Sequence, residues 1–244
     1  MKFYLSYMCL FLVCFSQAQT SISMSQTFKQ FAEQGVTKFD MTKSARPMIS
    51  YNEKQDAEGS PYLFDAWAKG TVLLKDNTTL SETTYILNFD KTRNTLLMKV
   101  DAQRVLEVDM SQIAGFTLIH DMDTLSLISF PENSQMYLLQ LYKDSLYSLY
   151  KTLNTKFLKS DYVNKGLYET GYKYDRYVDE NTYYIMQKDG RYFTVNAANK
   201  AELRKIADVF PSIKAYFKEH SLPKEKANND TFFINLTRYL NKKA

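Results

Sequence analysis

The feature that constrains this chain most is a succession of short apolar runs between Trp67 and about Phe157, each ended by turn-forming residues. "AKGTVLLK" stops at "DNTT". "SETTYILNF" sets Tyr85, Leu87 and Phe89 on one face at period two and stops at "DKTRN", and "TLLMKV" follows. "RVLEVDM" alternates Leu106, Val108 and Met110 with Glu107 and Asp109, the in/out pattern of a half-buried strand. "IAGFTLI", "TLSLISF", "QMYLLQLY" and "SLYSLYKTL" are cut in turn by "HDMD", "PENS" and "KD". Helices would need a 3.6 period over longer runs, and it is missing here. Apolar runs interrupted every ~8–12 residues predict consecutive antiparallel strands, a β-meander forming a curled sheet or partial barrel.

The pattern changes after this region. "TYYIMQ" and "RYFTV" flank "KDG", a further hairpin in which Asp189 and Gly190 supply the positive φ of a tight primed turn. Beyond Asn196, Leu203, Ile206, Ala207 and Phe210 fall on one helical stripe, and Pro211 opens a second one with Ile213, Tyr216 and Phe217. Asn229 or Asp230 caps a last helix carrying Phe232, Phe233, Leu236 and Leu240. The expected class is therefore α+β: the sheet, then about three C-terminal helices packed on one face or end of it.

The first residues, "MKFYLSYMCLFLVCFSQAQT", combine Lys2, a short apolar core from Leu5 to Phe15, and small residues at Ser16 and Ala18. That order is a secretory signal peptide, and its apolar run is well short of the ~20 residues needed to span a bilayer. Residues 1–18 are expected to be removed, leaving Gln19 first. Both cysteines, Cys9 and Cys14, lie in that segment, and Val13 before Cys14 disfavours a lipid-modified cysteine. The mature chain would hold no thiol, hence no disulfide and no thiolate metal site, so its apolar core must stabilise it alone. Residues 19–60 read as a variable segment with one short helix carrying Phe28, Phe31 and Ala32, then the polar linker "YNEKQDAEGSP". The β domain is expected over 61–196 and the helical segment over 197–244, with no transmembrane span.

Charge and motif content exclude several chemistries. Net charge is +4, too small to argue for nucleic acid. Lys and Arg number 13 against 16 Asp and Glu from Gln19 to Asn154, and 17 against 11 from Thr155 onward, a mildly basic C-terminal part. Of the two histidines, His120 falls in the turn "HDMD" and His220 at a helix end, where a cation suits the helix dipole. No His-Glu-x-x-His, Gly-x-Ser-x-Gly, glycine-rich phosphate loop or calcium loop occurs. No catalytic residue, metal ligand or cofactor is assigned, and an enzyme is disfavoured.

One stretch remains. "DYVNKGLYETGYKYDRYVDENTYYIMQKDG" holds seven tyrosines, and its first part, about 160–181, follows neither period. Tyrosine rings stack on sugars or apolar groups while their hydroxyls hydrogen-bond, and the same rings stiffen a long loop that lacks disulfides. If this loop binds something, Tyr168, Tyr172, Tyr174, Asp175, Arg176 and Tyr177 are the candidate contacts, with an envelope protein, a glycan or a lipid as partner.

That stretch, followed by "LRKIADVFPSIKAYFKEHSL" and "RYLNKK", resembles a group of uncharacterised exported proteins of Bacteroidetes-type bacteria. "GSPYLFDAWAKGTVLLKD" resembles the same group's lead into its sheet. The resemblance runs from about residue 59 onward and carries no catalytic residues. It implies a periplasmic, outer-membrane-associated or extracellular setting and no assigned activity. The expectation is a non-enzymatic envelope or cell-surface protein that binds or assembles with a partner. The alternative is a carrier of a small apolar ligand in the curled sheet, and the least favoured reading is a hydrolase on an unfamiliar scaffold.

Overall fold

The computed structural model describes residues 40–48, 57–81, 86–102, 104–195, 203–204, 206–207, 210–220 and 229–243. The expected signal peptide, the short helix carrying Phe28, Phe31 and Ala32, and Tyr85 lie outside these residues.

A single helical turn, α1 (Met41–Ser44), precedes β1 (Arg46–Pro47). β2 (Ala68–Leu74) and β3 (Thr79–Leu80) flank the turn at "DNTT", followed by β4 (Ile86–Asp90), β5 (Thr95–Lys99) and β6 (Val105–Glu107). β7 (Ile113–His120), β8 (Asp123–Phe130), β9 (Asn133–Tyr142) and β10 (Tyr147–Thr152) then run up and down. Four short strands depart from the main sheet: β11 (Thr155–Leu158), β12 (Val163–Asn164), β13 (Glu169–Thr170) and β14 (Arg176–Asp179). β15 (Tyr183–Gln187) and β16 (Tyr192–Val195) rejoin it, and α2 (Pro211–Glu219) and α3 (Asp230–Lys243) follow.

The class is α+β, and the main sheet is antiparallel throughout. Its order is β1-β6-β5-β4-β2-β7-β8-β9-β10-β15-β16, with β3 beside β2. β1 and β16 are its edges, so it does not close into a barrel. Two blocks, β4–β6 and β7–β10, keep meander order, but β2 sits between them. All but its first residue pairs with β7, from Lys69 opposite Ile119 to Leu74 opposite Ile113. Its other edge is shared, with Ala68 and Lys69 facing β4 and Val72 and Leu73 facing β3. A local period cannot encode that division, which depends on partners far along the chain.

Two local expectations change. The strand through Met110 stops at Glu107, because the Asp109 carboxylate accepts a hydrogen bond from the Ser111 amide (2.9 Å) and starts a 3-10 turn, Met110–Gln112. That bond also holds the Asp109 carboxyl below its ordinary range. In the β15–β16 hairpin only Gly190 has positive φ (+88°). The Gln187 amide bonds the Arg191 carbonyl and the Gly190 amide bonds the Gln187 carbonyl, which makes a three-residue loop with a left-handed glycine rather than a primed two-residue turn.

The C-terminal half of the sheet lies under the helices. Leu149, Tyr183, Ile185 and Val195 form one core with Leu203, Ala207, Ile213, Tyr216, Phe233, Leu236 and Leu240. Among the described residues two helices longer than one turn follow the sheet where about three were expected; Leu203, Ile206 and Ala207 of the first stripe are also helical, and Phe210 stands just before α2. α2 opens with Pro211 at its first turn, as its sequence predicts. α3 is fixed at both ends. At its start the Asp230 carboxylate accepts from the Lys151 ammonium and the Tyr183 hydroxyl, each at 2.7 Å. Asn241 accepts from the Tyr147 amide (3.0 Å) and donates to the Tyr147 carbonyl (2.9 Å).

On the opposite face, Phe130, Leu138 and Tyr150 are buried, with Tyr184 and Tyr192 packed against Phe130 at ring separations of 5.2 Å. Toward the N-terminal half, Phe89, Phe116 and Tyr137 pack in a row with their rings tilted, and the Tyr137 hydroxyl donates to the Ile113 and Met110 carbonyls. Among the described residues every buried side-chain polar atom has a hydrogen-bond partner.

Candidate functional site: an exposed tyrosine arm

Residues 155–179 form a β-arm rather than a shapeless loop. Lys151 faces Tyr183 in the β10–β15 ladder, and four residues further out Thr155 faces Asp179 in β11–β14. The register thus carries from the sheet into the arm without a slip. The Thr152 amide donates to the Thr182 carbonyl, and the Glu180 amide to the Asn154 carbonyl, where the two ladders meet.

Further out, the register slips once. Leu158 faces Arg176, whereas Val163 faces Thr170, so the returning strand carries one extra residue. Gly171 sits in that stretch with φ +84°, and a Cβ there would strike the Asp161 carbonyl oxygen. A glycine-centred bulge lets the ribbon bend. The Asp161 carboxylate accepts from the Tyr172 amide (2.7 Å), and the Ser160 hydroxyl donates to the Tyr172 and Lys173 carbonyls. At the far end the Asn164 side chain accepts from the Gly166 amide (2.8 Å), and the Lys165 amide bonds the Tyr168 carbonyl, closing a tight turn.

The base of the arm is anchored to the body. The Glu58 amide donates to the Asp175 carbonyl and the Tyr177 amide to the Glu58 carbonyl, both 2.8 Å. Lys91 reaches Asp179 at 3.0 Å, and the Thr155 hydroxyl donates to the same carboxylate oxygen. Residues 57–67 are themselves tied to β4, where the buried Asn88 amide donates to the carbonyls of Phe64 (2.8 Å) and Ala66 (3.3 Å).

The six candidate residues divide into two groups. Tyr168, Tyr172 and Tyr174 are 57%, 49% and 52% exposed. Arg176 lays its guanidinium on the Tyr172 ring, 3.2 Å from the centroid. Asp175 and Tyr177 belong to the anchorage: the Asp175 carboxylate accepts from the Ser160 amide (2.8 Å), and the Tyr177 ring packs on Phe157 (5.1 Å). Burial, then Asp90 and Asp175, push the Tyr177 phenol above its ordinary value. The six therefore do not converge on a cavity; three are exposed, Arg176 lies against one of these, and two hold the arm in place.

Leu167, which motif reading passed over, is 99% open to solvent. The signal for it lay in "NKGLY", an Asn-x-Gly turn with an apolar residue beyond the glycine. Lys165 stands over the Tyr168 ring (5.8 Å) and Lys173 over Tyr174 (5.7 Å).

The two histidines sit elsewhere. The His120 ring stacks on Phe64 (5.0 Å) beside the exposed Asp121 carboxylate (3.4 Å), and His220 stacks on Tyr216 (4.0 Å) at the end of α2. Among the described residues no three His, Cys, Asp or Glu side chains are grouped to hold a metal ion. No helix among them is long and apolar enough to cross a membrane. Comparison of the chain with known protein families, with curated proteins and with solved structures finds no match in any of the three. Fold and arm together define a class: an open antiparallel α+β sheet that carries a bonded, tyrosine-bearing β-arm.

Proposed function

We propose that this chain is an exported, non-enzymatic module of a bacterial envelope, periplasmic, outer-membrane-associated or extracellular, that binds or assembles with a partner through its arm. The observation that carries the reading is the contrast within the arm. Its backbone is paired, bulged and anchored, while Tyr168, Tyr172, Tyr174 and Leu167 spend their side chains on solvent. Ordering a 25-residue excursion costs conformational entropy, and exposed side chains return little of it. A contact surface gives that ordering a use, because a prearranged surface loses less on binding. The leader-like first residues, and the resemblance to exported Bacteroidetes-type proteins, support the setting.

The carrier alternative draws less support. A lipid carrier needs an enclosed apolar space, whereas the sheet has two edges, and the cavity of about 990 Å3 beside β16 is bordered by Glu132 and Arg191 as well as Phe193.

The test is the double variant Tyr168→Ala/Tyr174→Ala. Its thermal midpoint should match the parent, since both rings are exposed. Its co-sedimentation with isolated envelope fractions should fall at least about tenfold, the loss expected when ~1.4 kcal/mol of contact is removed. Equal sedimentation of parent and variant would overturn the reading, and a large drop in midpoint would make the rings structural.

A further inference from the structure

We infer that the outer end of the arm docks on a bilayer surface carrying anionic lipid, with Leu167 entering the headgroup–acyl boundary and Lys165, Lys173 and Arg176 meeting the phosphates. The inference rests on the arm being the contact surface and names what it contacts.

Three observations favour a lipid surface. The first is the apex. Leu167 stands wholly in solvent beyond a turn closed by the Asn164–Gly166 and Lys165–Tyr168 bonds, so the backbone presents it and does not fold it away. An isolated aliphatic side chain held there gains nothing from water and gains from entering lipid.

The second is the pairing of rings with cations. Each of the three exposed tyrosines carries its own: Lys165 over Tyr168, Arg176 on Tyr172, Lys173 over Tyr174. A sugar stacks on a ring face, and at Tyr172 the guanidinium lies on one face at 3.2 Å. A lipid phosphate meets the cation where it already is, while the ring takes the amphipathic depth that tyrosine favours at membrane interfaces. The acids of this part of the arm, exposed at Asp161 and Glu169 and half-buried at Asp175, each accept from a donor within the arm: Asp161 from the Tyr172 amide, Asp175 from the Ser160 amide, Glu169 from the Asn164 side chain.

The third is size. β12 and β13 contribute two residues each and pair only with each other. A stable protein–protein contact buries about 800 Å2 on each partner, and a hairpin end this narrow needs a deep matching cleft to reach that. A bilayer imposes no such match.

The test uses the full chain and its Leu167→Asp variant with protein-free vesicles of phosphatidylcholine, alone or mixed with phosphatidylglycerol. The two proteins differ at one exposed residue, so anything the apolar N-terminal stretch contributes is common to both. The parent should bind mixed vesicles several-fold better than neutral ones, and added salt should erase the difference. Leu167→Asp should weaken binding to mixed vesicles at least about tenfold with an unchanged thermal midpoint. Lys165→Glu/Lys173→Glu should remove the preference for anionic vesicles. Equal binding of parent and Leu167→Asp, or no preference for phosphatidylglycerol in the parent, overturns the inference. Envelope-fraction association that depends on Tyr168 and Tyr174, without binding to protein-free vesicles, rejects lipid and leaves the arm as a contact surface for something else. Loss of both rejects the inference and the reading beneath it.

Discussion

Tyr183 and Tyr172 lie on the same returning side of one long hairpin, yet they live in opposite surroundings. Tyr183 is 5% exposed, packs its ring 4.4 Å from Phe233 and gives its hydroxyl to Asp230. Tyr172 is half in water, with Arg176 against its ring. Residue type does not separate them, and pairing does so only in part: Tyr183 lies in β15 opposite Lys151, while Tyr172 lies between β13 and β14, where the register slips. The larger difference is α3, whose Phe233, Leu236 and Leu240 share a core with Tyr183. Strand pairing supplies a shape, and burial against a second layer decides which rings become core.

The largest test of this contrast is Tyr183→Ala. It removes a buried aromatic ring and takes a donor from the partly buried Asp230, which keeps Lys151 as its partner. Deleting such a side chain costs about 3–5 kcal/mol, read as a lower denaturation midpoint at constant slope. A loss below about 1 kcal/mol would mean that the inner half is no better packed than the arm.

The next effect is in pH. Burial, and then the Asp230 carboxylate, hold the Tyr183 phenol above its ordinary value of 10.0. Burial, and then Asp109, do the same for Tyr137. The folded state grips these protons more tightly than the unfolded chain does, so their stabilising contribution is complete below pH 10.0 and declines as pH rises above it. Phenolate absorbance and far-ultraviolet circular dichroism followed together should show a late-titrating fraction of tyrosines appearing as the fold is lost. Full titration of every tyrosine with the dichroism intact would contradict the burial of these two.

The smallest effect sharpens the other side. Tyr172→Ala should shift folding stability by no more than about 0.5 kcal/mol, since the ring is half exposed and a surface cation–π contact is worth about that much. A larger loss would move Tyr172 from the contact surface into the architecture.

The same contrast explains what was legible beforehand. Strands with one face in the core advertise themselves: Val72, Phe116, Leu118, Leu127 and Leu139 are buried and spaced as a period of two requires. The stripes Leu203/Ala207, Ile213/Tyr216 and Phe233/Leu236/Leu240 likewise read as helix faces and are buried as a group. The arm gave no such pattern, because from Val163 to Thr170 every residue of its outer hairpin is exposed and nothing selects one face over the other. Its tyrosines could be picked out by composition, but Asp175 and Tyr177 as anchors, and Leu167 as the apex, depend on Glu58, Ser160 and the turn at Gly166. Asp230 shows the same limit: a helix-start residue by its position, it also ties to Lys151 and Tyr183, which lie 79 and 47 positions away.

The unbroken register between sheet and arm has a consequence for descent. Adding or deleting facing pairs two at a time on β11 and β14 changes how far the tip stands from the body without swapping its faces, and every residue inside the helical core keeps its partner and its side. Loss or gain on one strand alone would turn the tip over, as the single extra residue around Gly171 already does once. Length and handedness of the reaching end can therefore drift among descendants of this chain while the portion beneath α3 stays the same.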